Sequence, residues 1–209
     1  MDFWKLIYFI DITLFVFVSA TVLYLAVFAL ASLFSKHTDV PRAKTQNRFI
    51  ILIPVYKNGI GAEHTLRAAL GQTYPQRLFD VTVISDHIDE LSNFRMAQQP
   101  VTLLTPNFEK SSRAKSLQLA INNLPQFKIY DIVVILNAGN IVEPDFLEKM
   151  NDAYESAGTK AIQARRLSQN RDTASARLSS TFEEINNTIF RRFNWPSTTF
   201  PNLRFMILY

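Results

Sequence analysis

The residues best suited to chemistry lie just after short apolar runs. Pro54 and Tyr56 follow Phe49-Ile50-Ile51-Leu52-Ile53, Asp86 follows Val81-Thr82-Val83-Ile84, and Asn137-Ala138-Gly139 follows Ile132-Val133-Val134-Ile135-Leu136. Arg113 stands at the start of a helical pattern after Ser111-Ser112. Asp86 offers a carboxylate acceptor, and Arg113 offers a planar fork that matches phosphate oxygens. Asn137 accepts only through an amide oxygen, and Gly139 offers no side chain. Other polar groups point to a solvated surface. Glu183 and Glu184 are neighbours on a predicted helix, so their side chains diverge by about 100° and do not form an acid/base pair. His37, His64 and His87 lack metal-ligand spacing. Asp131 starts a strand, and Glu143 and Asp145 sit at a helix start, where carboxylates suit the positive end of the dipole. The arginines at 165, 166, 171, 177, 191 and 192 form a loose basic surface without the aromatic interleaving that stacks bases, so no nucleic-acid partner is expected.

The elements that must position these residues alternate. The run at 49–53 reads as a fully buried strand, those at 81–84, 101–104 and 132–136 as three further strands, the last the most hydrophobic, and 161–164 as a fifth. Pro54 is expected to end the first. Between them, Leu66, Ala69 and Leu70 fit one helix face, and Leu117, Ala120, Ile121 and Leu124 another, capped by Ser111 or Ser112. A further helix begins near Pro144, and a last amphipathic one carries Leu178, Phe182, Ile185 and Ile189, with core, membrane surface or another segment as its partner. Strand–helix alternation implies a mainly parallel sheet with helices on both faces, and ligands bind such sheets outside the carboxyl ends of the strands. Pro54 to Asn58, Ser85 to Asp89 and Asn137 to Asn140 all fall there.

The whole chain has 209 residues, a net charge of +4, 48% hydrophobic residues and no cysteine, which excludes a disulfide framework. The apolar residues concentrate at the N-terminus, and the remainder is long enough to bury one core. No charge occurs from Ile12 to Ser35. A helix needs about 20 apolar residues to cross the hydrocarbon core, so residues 12–35 are expected to span a membrane once. The run is too long, and its N-terminal flank too weakly basic, for a cleaved signal peptide. Lys36, Arg42, Lys44 and Arg48 follow the span, and the positive-inside rule places the domain after them in the cytoplasm.

Taken in order, several segments resemble family 2 glycosyltransferases of the GT-A fold. Ile51-Leu52-Ile53-Pro54-Val55-Tyr56 resembles the family's opening strand and Pro-x-Tyr turn, and Gln72-Thr73-Tyr74-Pro75 the end of its first helix. Ser112-Arg113-Ala114-Lys115-Ser116-Leu117-Gln118-Leu119-Ala120 is similar to its Gly-Lys-x-x-Ala-Leu-Asn-x-Ala helix. Asp131 to Leu147 follows the strand leading into its Asp-x-Asp motif. The resemblance implies a membrane-anchored bacterial protein of the inner membrane, similar to enzymes that transfer a hexose from a nucleotide sugar to a polysaccharide or lipid acceptor. It implies that Asp86 meets the nucleotide base, with Pro54, Tyr56 and Arg113 completing the nucleotide site. In the family, Mg or Mn held by the Asp-x-Asp carboxylates neutralises the diphosphate leaving group, and a later carboxylate acts as base.

The chain departs from that pattern where catalysis is decided. The Asp-x-Asp position reads Asn137-Ala138-Gly139, and the family's Asn-Glu after Pro-x-Tyr reads Lys57-Asn58. Arg113 replaces a lysine and Gln118 an asparagine. Neither a catalytic residue nor a metal ligand is therefore assigned, and no acceptor-base or Gln-x-x-Arg-Trp segment appears before Tyr209. The expected organisation is a short flank at 1–11, the span at 12–35, a basic linker at 36–48, a GT-A domain at 49–192 corresponding to the family's N-terminal half, and an unrelated tail at 193–209 suggestive of a frameshift or early stop. Three readings follow: a transferase moving a hexose from a nucleotide sugar, as family membership implies; a non-catalytic nucleotide-binding or interaction fragment; or the inactive product of a damaged gene, the missing carboxylates favouring the last two.

Overall fold

The computed structural model describes residues 3–33, 40–125, 127–157, 161–168, 172–185 and 199–207. Helix α1, Phe3–Leu33, begins well before Ile12 because Phe3 to Ile10 is apolar apart from Lys5. Its stretch Phe3–Val27 is long and apolar enough to cross a membrane. The central sheet holds β1 (Phe49–Tyr56), β2 (Phe79–Asp86), β3 (Thr102–Leu104) and β4 (Ile132–Ile135), all parallel, in the order β3-β2-β1-β4.

The unbroken apolar run at the start of β1, and the stretch Val81 to Ile84 of β2 interrupted only by Thr82, follow from burial on both faces. Ile51, Ile53, Val81 and Val83 join Ala62, Leu66 and Ala69 of α2 (Gly59–Leu70), Met96 of α3 (Glu90–Ala97) and Leu147 and Met150 of α5 (Phe146–Ala157) in one core. Ile50, Leu52 and Ile84 face the other way, onto Ala120 and Leu117 of α4 (Arg113–Asn122). Helices thus cover both faces, as expected. β4 is buried on one face only: Ile132 and Val134 are in the core, while Val133 and Ile135 are about half exposed.

Pro54 does not end β1, which continues to Tyr56. Even-numbered residues of β1 direct their backbone groups towards β4, as the bond from the Leu136 amide to the Leu52 carbonyl shows. Pairing with β4 stops at Leu52↔Ile135, whereas pairing with β2 runs on to Tyr56↔Asp86. The missing proline N–H therefore faces a side where no partner strand remains.

A second, three-stranded sheet has the order β5-β7-β6, from Asn140–Val142, Thr199–Ile207 and Gln163–Ser168. β7 is antiparallel to β5 and parallel to β6. The last described helix, α6, spans Ala174–Ile185 with Leu178, Phe182 and Ile185 all exposed. Ile189, residues 34–39 and 193–198, and Arg192 lie outside the described residues.

The segment between α1 and β1 is fastened to α5 from Arg42 onward. Arg42 pairs with Glu148 at 3.0 Å, the Ala43 amide donates to Asp152 at 2.8 Å, and Asn47 donates through Nδ2 to Glu155 at 2.7 Å. Asn151, buried on the same helix, accepts from the Asn47 amide at 3.0 Å and donates to the Thr45 carbonyl at 2.7 Å. These positions recur at helical spacing along one face of α5. Asp131 accepts from the Arg48 amide at 2.8 Å, so this carboxylate fixes the entry to β1.

Candidate nucleotide-binding cleft

A cleft of about 560 Å³ opens at the carboxyl ends of the central strands. Pro54 and Tyr56 line it from the end of β1, Asp86 from the end of β2, Arg113 from the start of α4, and Asn137 from just beyond β4. Residues more than eighty positions apart thus meet because parallel strands bring equivalent ends to one edge. Glu109, Lys110 and Ser111, on the loop before α4, complete one wall. They carry no periodic pattern, so reading the strands alone passes over them.

Local structure explains each placement. Ser112 caps α4, accepting from the Lys115 amide at 3.2 Å, and this starts the helix where Arg113 reaches the cleft. Tyr56 is 52% exposed and borders the opening. Lys57 and His87 follow Tyr56 and Asp86 directly, and both adopt left-handed backbone with φ 56°. Lys57 Nζ lies 5.0 Å from the centre of the Tyr56 ring, and the His87 ring meets Tyr56 edge-on at 5.8 Å.

Asp86 is 1% exposed. Burial alone would raise its pKa, but interactions with the Ser111 hydroxyl, His87 and the Phe108 amide favour the charged form and hold the carboxyl below its ordinary range. Of these, His87 Nδ1 lies 2.6 Å from Oδ1.

Gly139 does not join the other predicted residues. It is buried, its amide donates to Thr65 Oγ1 at 2.9 Å and to the Gly61 carbonyl at 3.1 Å, and its φ is 88°. Asn58 accepts from the Gly61 amide at 2.9 Å and so caps α2. Glu143 and Asp145 both grip Lys149, at 2.9 and 2.8 Å.

The residues present do not fit a divalent cation at the Asn137 position. Mg and Mn favour several oxygen ligands with carboxylate charge, and this strand end supplies one amide side chain. Among the described residues, no three His, Asp or Glu side chains converge.

The model of the family described as "Glycosyltransferase like family 2" matches residues 46–199. The chain belongs to this family. No curated protein matches it in sequence. Among solved structures, it resembles the mannosyltransferase PcManGT from Pyrobaculum calidifontis, in complex with GDP-Man and Mn2+, with a TM-score of 0.55 and 19% identity. That likeness covers 74% of this chain and 45% of the other. It also resembles TarS of S. aureus, with a TM-score of 0.49 and 14% identity over 61% of this chain and 23% of that one. The chain therefore spans less than half the length of these structures, and what the first likeness shows is the GT-A fold.

Proposed function

We propose that this protein is a membrane-anchored, glycosyltransferase-like protein that holds the nucleotide part of a nucleotide sugar without needing a divalent cation, and that it does not transfer the sugar itself. The supporting observation is the single cleft that collects Pro54, Tyr56, Asp86, Arg113 and Asn137 at the carboxyl end of a GT-A sheet. Asp86 would accept a hydrogen bond from the base, and Tyr56 would flank it. Arg113 would meet the diphosphate at the positive end of α4. Asn137 and Gly139 mark the degenerate Asp-x-Asp position.

The loss of transfer rests on charge. A departing nucleoside diphosphate develops negative charge that family members offset with a carboxylate-bound cation. Asn137 brings no charge, and Gly139 brings no side chain and faces α2. Lys110 and Arg113 favour the diphosphate in the ground state as well as in the transition state, which aids binding more than rate.

The anchor would be the Phe3–Val27 stretch of α1, crossing the bacterial inner membrane once, with the domain on the cytoplasmic side. The GT-A unit is assigned to 49–192, preceded by the linker 36–48. The experiment incubates the full chain, in detergent, with radiolabelled GDP-mannose or UDP-GlcNAc and membrane extracts, with and without Mn. Retention of nucleotide without release of labelled sugar is expected. Labelled product that disappears on Asp86→Ala would overturn the non-catalytic reading.

A further inference from the structure

β1 and β2 end side by side, with Tyr56 and Asp86 paired in register. The next residue on each strand, Lys57 and His87, turns into the left-handed region. Among the described residues these are the only non-glycine residues to do so. Such backbone persists only where the surroundings over-determine it, and it gathers at ligand sites. Here both turns direct a side chain onto Tyr56, and the His87 turn also sets Nδ1 2.6 Å from Asp86 Oδ1. Facing an ionised carboxylate, Nδ1 carries the proton and donates it to the bond. Asp86 and Tyr56 line the cleft directly, so His87 acts through both.

We propose that His87 is a positioning residue for base recognition: together with the Ser111 hydroxyl and the Phe108 amide on the same carboxylate, its Nδ1–H at Oδ1 orients the Asp86 side chain so that a lone pair they leave open meets the ligand as an acceptor. This rests on the nucleotide reading of the cleft and adds a selectivity to it. An acceptor-only carboxylate demands a donor from the base. Uracil and guanine present a ring N–H on their pairing edge; cytosine and adenine present an amino N–H there, but beside a bare ring nitrogen that an ionised carboxylate repels. Selection therefore falls on the ring position that faces the carboxylate, a donor in uracil and guanine and an opposing lone pair in cytosine and adenine. The edge-on contact with Tyr56 keeps the imidazole from swinging away and couples the aromatic wall to the carboxylate.

The test uses the full chain in detergent and two substitutions that both tolerate the left-handed backbone. His87→Asn keeps a donor at the position of Nδ1, and His87→Gly has none. UDP, GDP, CDP and ADP are each titrated by calorimetry. In the unaltered chain, UDP and GDP should bind at least about tenfold more tightly than CDP and ADP. His87→Gly should weaken UDP and GDP about tenfold, the scale of one charge-assisted hydrogen bond, and erase the preference. His87→Asn should stay within about threefold of the unaltered chain, a much smaller change than loss of that bond. Unchanged affinities in His87→Gly, an equal loss for all four nucleotides, or no recovery in His87→Asn each overturn the role of His87 while leaving a nucleotide site in place. Failure of the unaltered chain to bind any of the four overturns the nucleotide reading and His87's role together.

Discussion

Replacing Asn151 with alanine should free the tether from the domain. Asn151 is 3% exposed, and its side chain serves two segments. Its oxygen accepts from the Asn47 amide and from Asn47 Nδ2, both at 3.0 Å, and its nitrogen donates to the Thr45 carbonyl at 2.7 Å. The Tyr74 hydroxyl, 3.3 Å from the same oxygen, keeps its shorter bond to the Asn47 carbonyl at 2.8 Å and loses little. Thr45 is exposed, so water can replace that partner, whereas the Asn47 amide is only partly reachable. Counting about 1 kcal/mol for each of the two backbone bonds, plus a fraction for the side-chain bond, gives a loss of about 2–3 kcal/mol. Asn151→Asp keeps the acceptor but sets a carboxylate oxygen against the Thr45 carbonyl, on a buried position beside Asp152 and Glu155, so at neutral pH it should cost at least as much as alanine. Urea unfolding of the full chain in detergent, followed by tyrosine fluorescence and far-ultraviolet signals, measures both. Limited proteolysis should cut between Arg42 and Arg48 in the alanine variant first. A change below about 0.5 kcal/mol with no new cleavage would show that the 42–48 segment is not held by α5, since surface substitutions fall in that range.

Four further outcomes follow from the same geometry. Asn137→Asp should leave stability within about 0.5 kcal/mol, whereas Gly139→Asp, forced onto a φ of 88°, should cost about 1–3 kcal/mol in the same unfolding assay; equal effects would contradict the placement of Gly139. The Asp86 carboxyl lies below its ordinary value of 3.8, so its contribution to stability is fully present above that pH and is lost as pH falls through the lower folded value. Stability against pH should therefore drop steeply below about pH 4 in the unaltered chain and more gently in Asp86→Asn. Asn122→Cys, on the exposed end of α4, should resist a membrane-impermeant thiol reagent in intact cells, and labelling there would overturn the cytoplasmic orientation. Asn58→Ala should cost about 1 kcal/mol through loss of the α2 cap, with nucleotide affinity unchanged.

Much of the central sheet was legible because its physics is one-dimensional. A strand buried on both faces is apolar almost throughout, as 49–53 and, but for Thr82, 81–84 are; the equally apolar 132–136 became β4, which is buried on one face only. The site followed from where those runs end, since parallel strands deliver their carboxyl ends to one edge; that rule singled out Asp86 and Asn137 and, with the family resemblance, Arg113. The continuation of β1 through Pro54 was hidden, because it depends on β4 being shorter than β2 on either side of β1, and a single strand does not reveal its neighbours' lengths. β5 and β7 were missed for a related reason. Asn140 to Val142 is too short for a period, and its partner lies some sixty residues away across β7. α3 did leave a signal, Asp89 accepting from the Ser92 amide at a cap, but its exposed Leu91 and Phe94 obscure the helical stripe. Gly139 shows the opposite limit. Its spacing from Asn137 places it in the motif, and only its backbone angle and its bonds to Thr65 and Gly61 show that it turns towards α2.

The most direct test of the central claim is calorimetry of UDP and GDP against the full chain, with 1 equivalent or a large excess of Mn and without it, on the unaltered protein and on Asp86→Ala. The arrangement of Asp86 and Arg113 around one cleft, with an amide at Asn137, predicts weak binding whose affinity Mn changes by less than about threefold and which Asp86→Ala weakens by about tenfold or more. Tight binding that requires Mn, or binding indifferent to Asp86, would contradict the account.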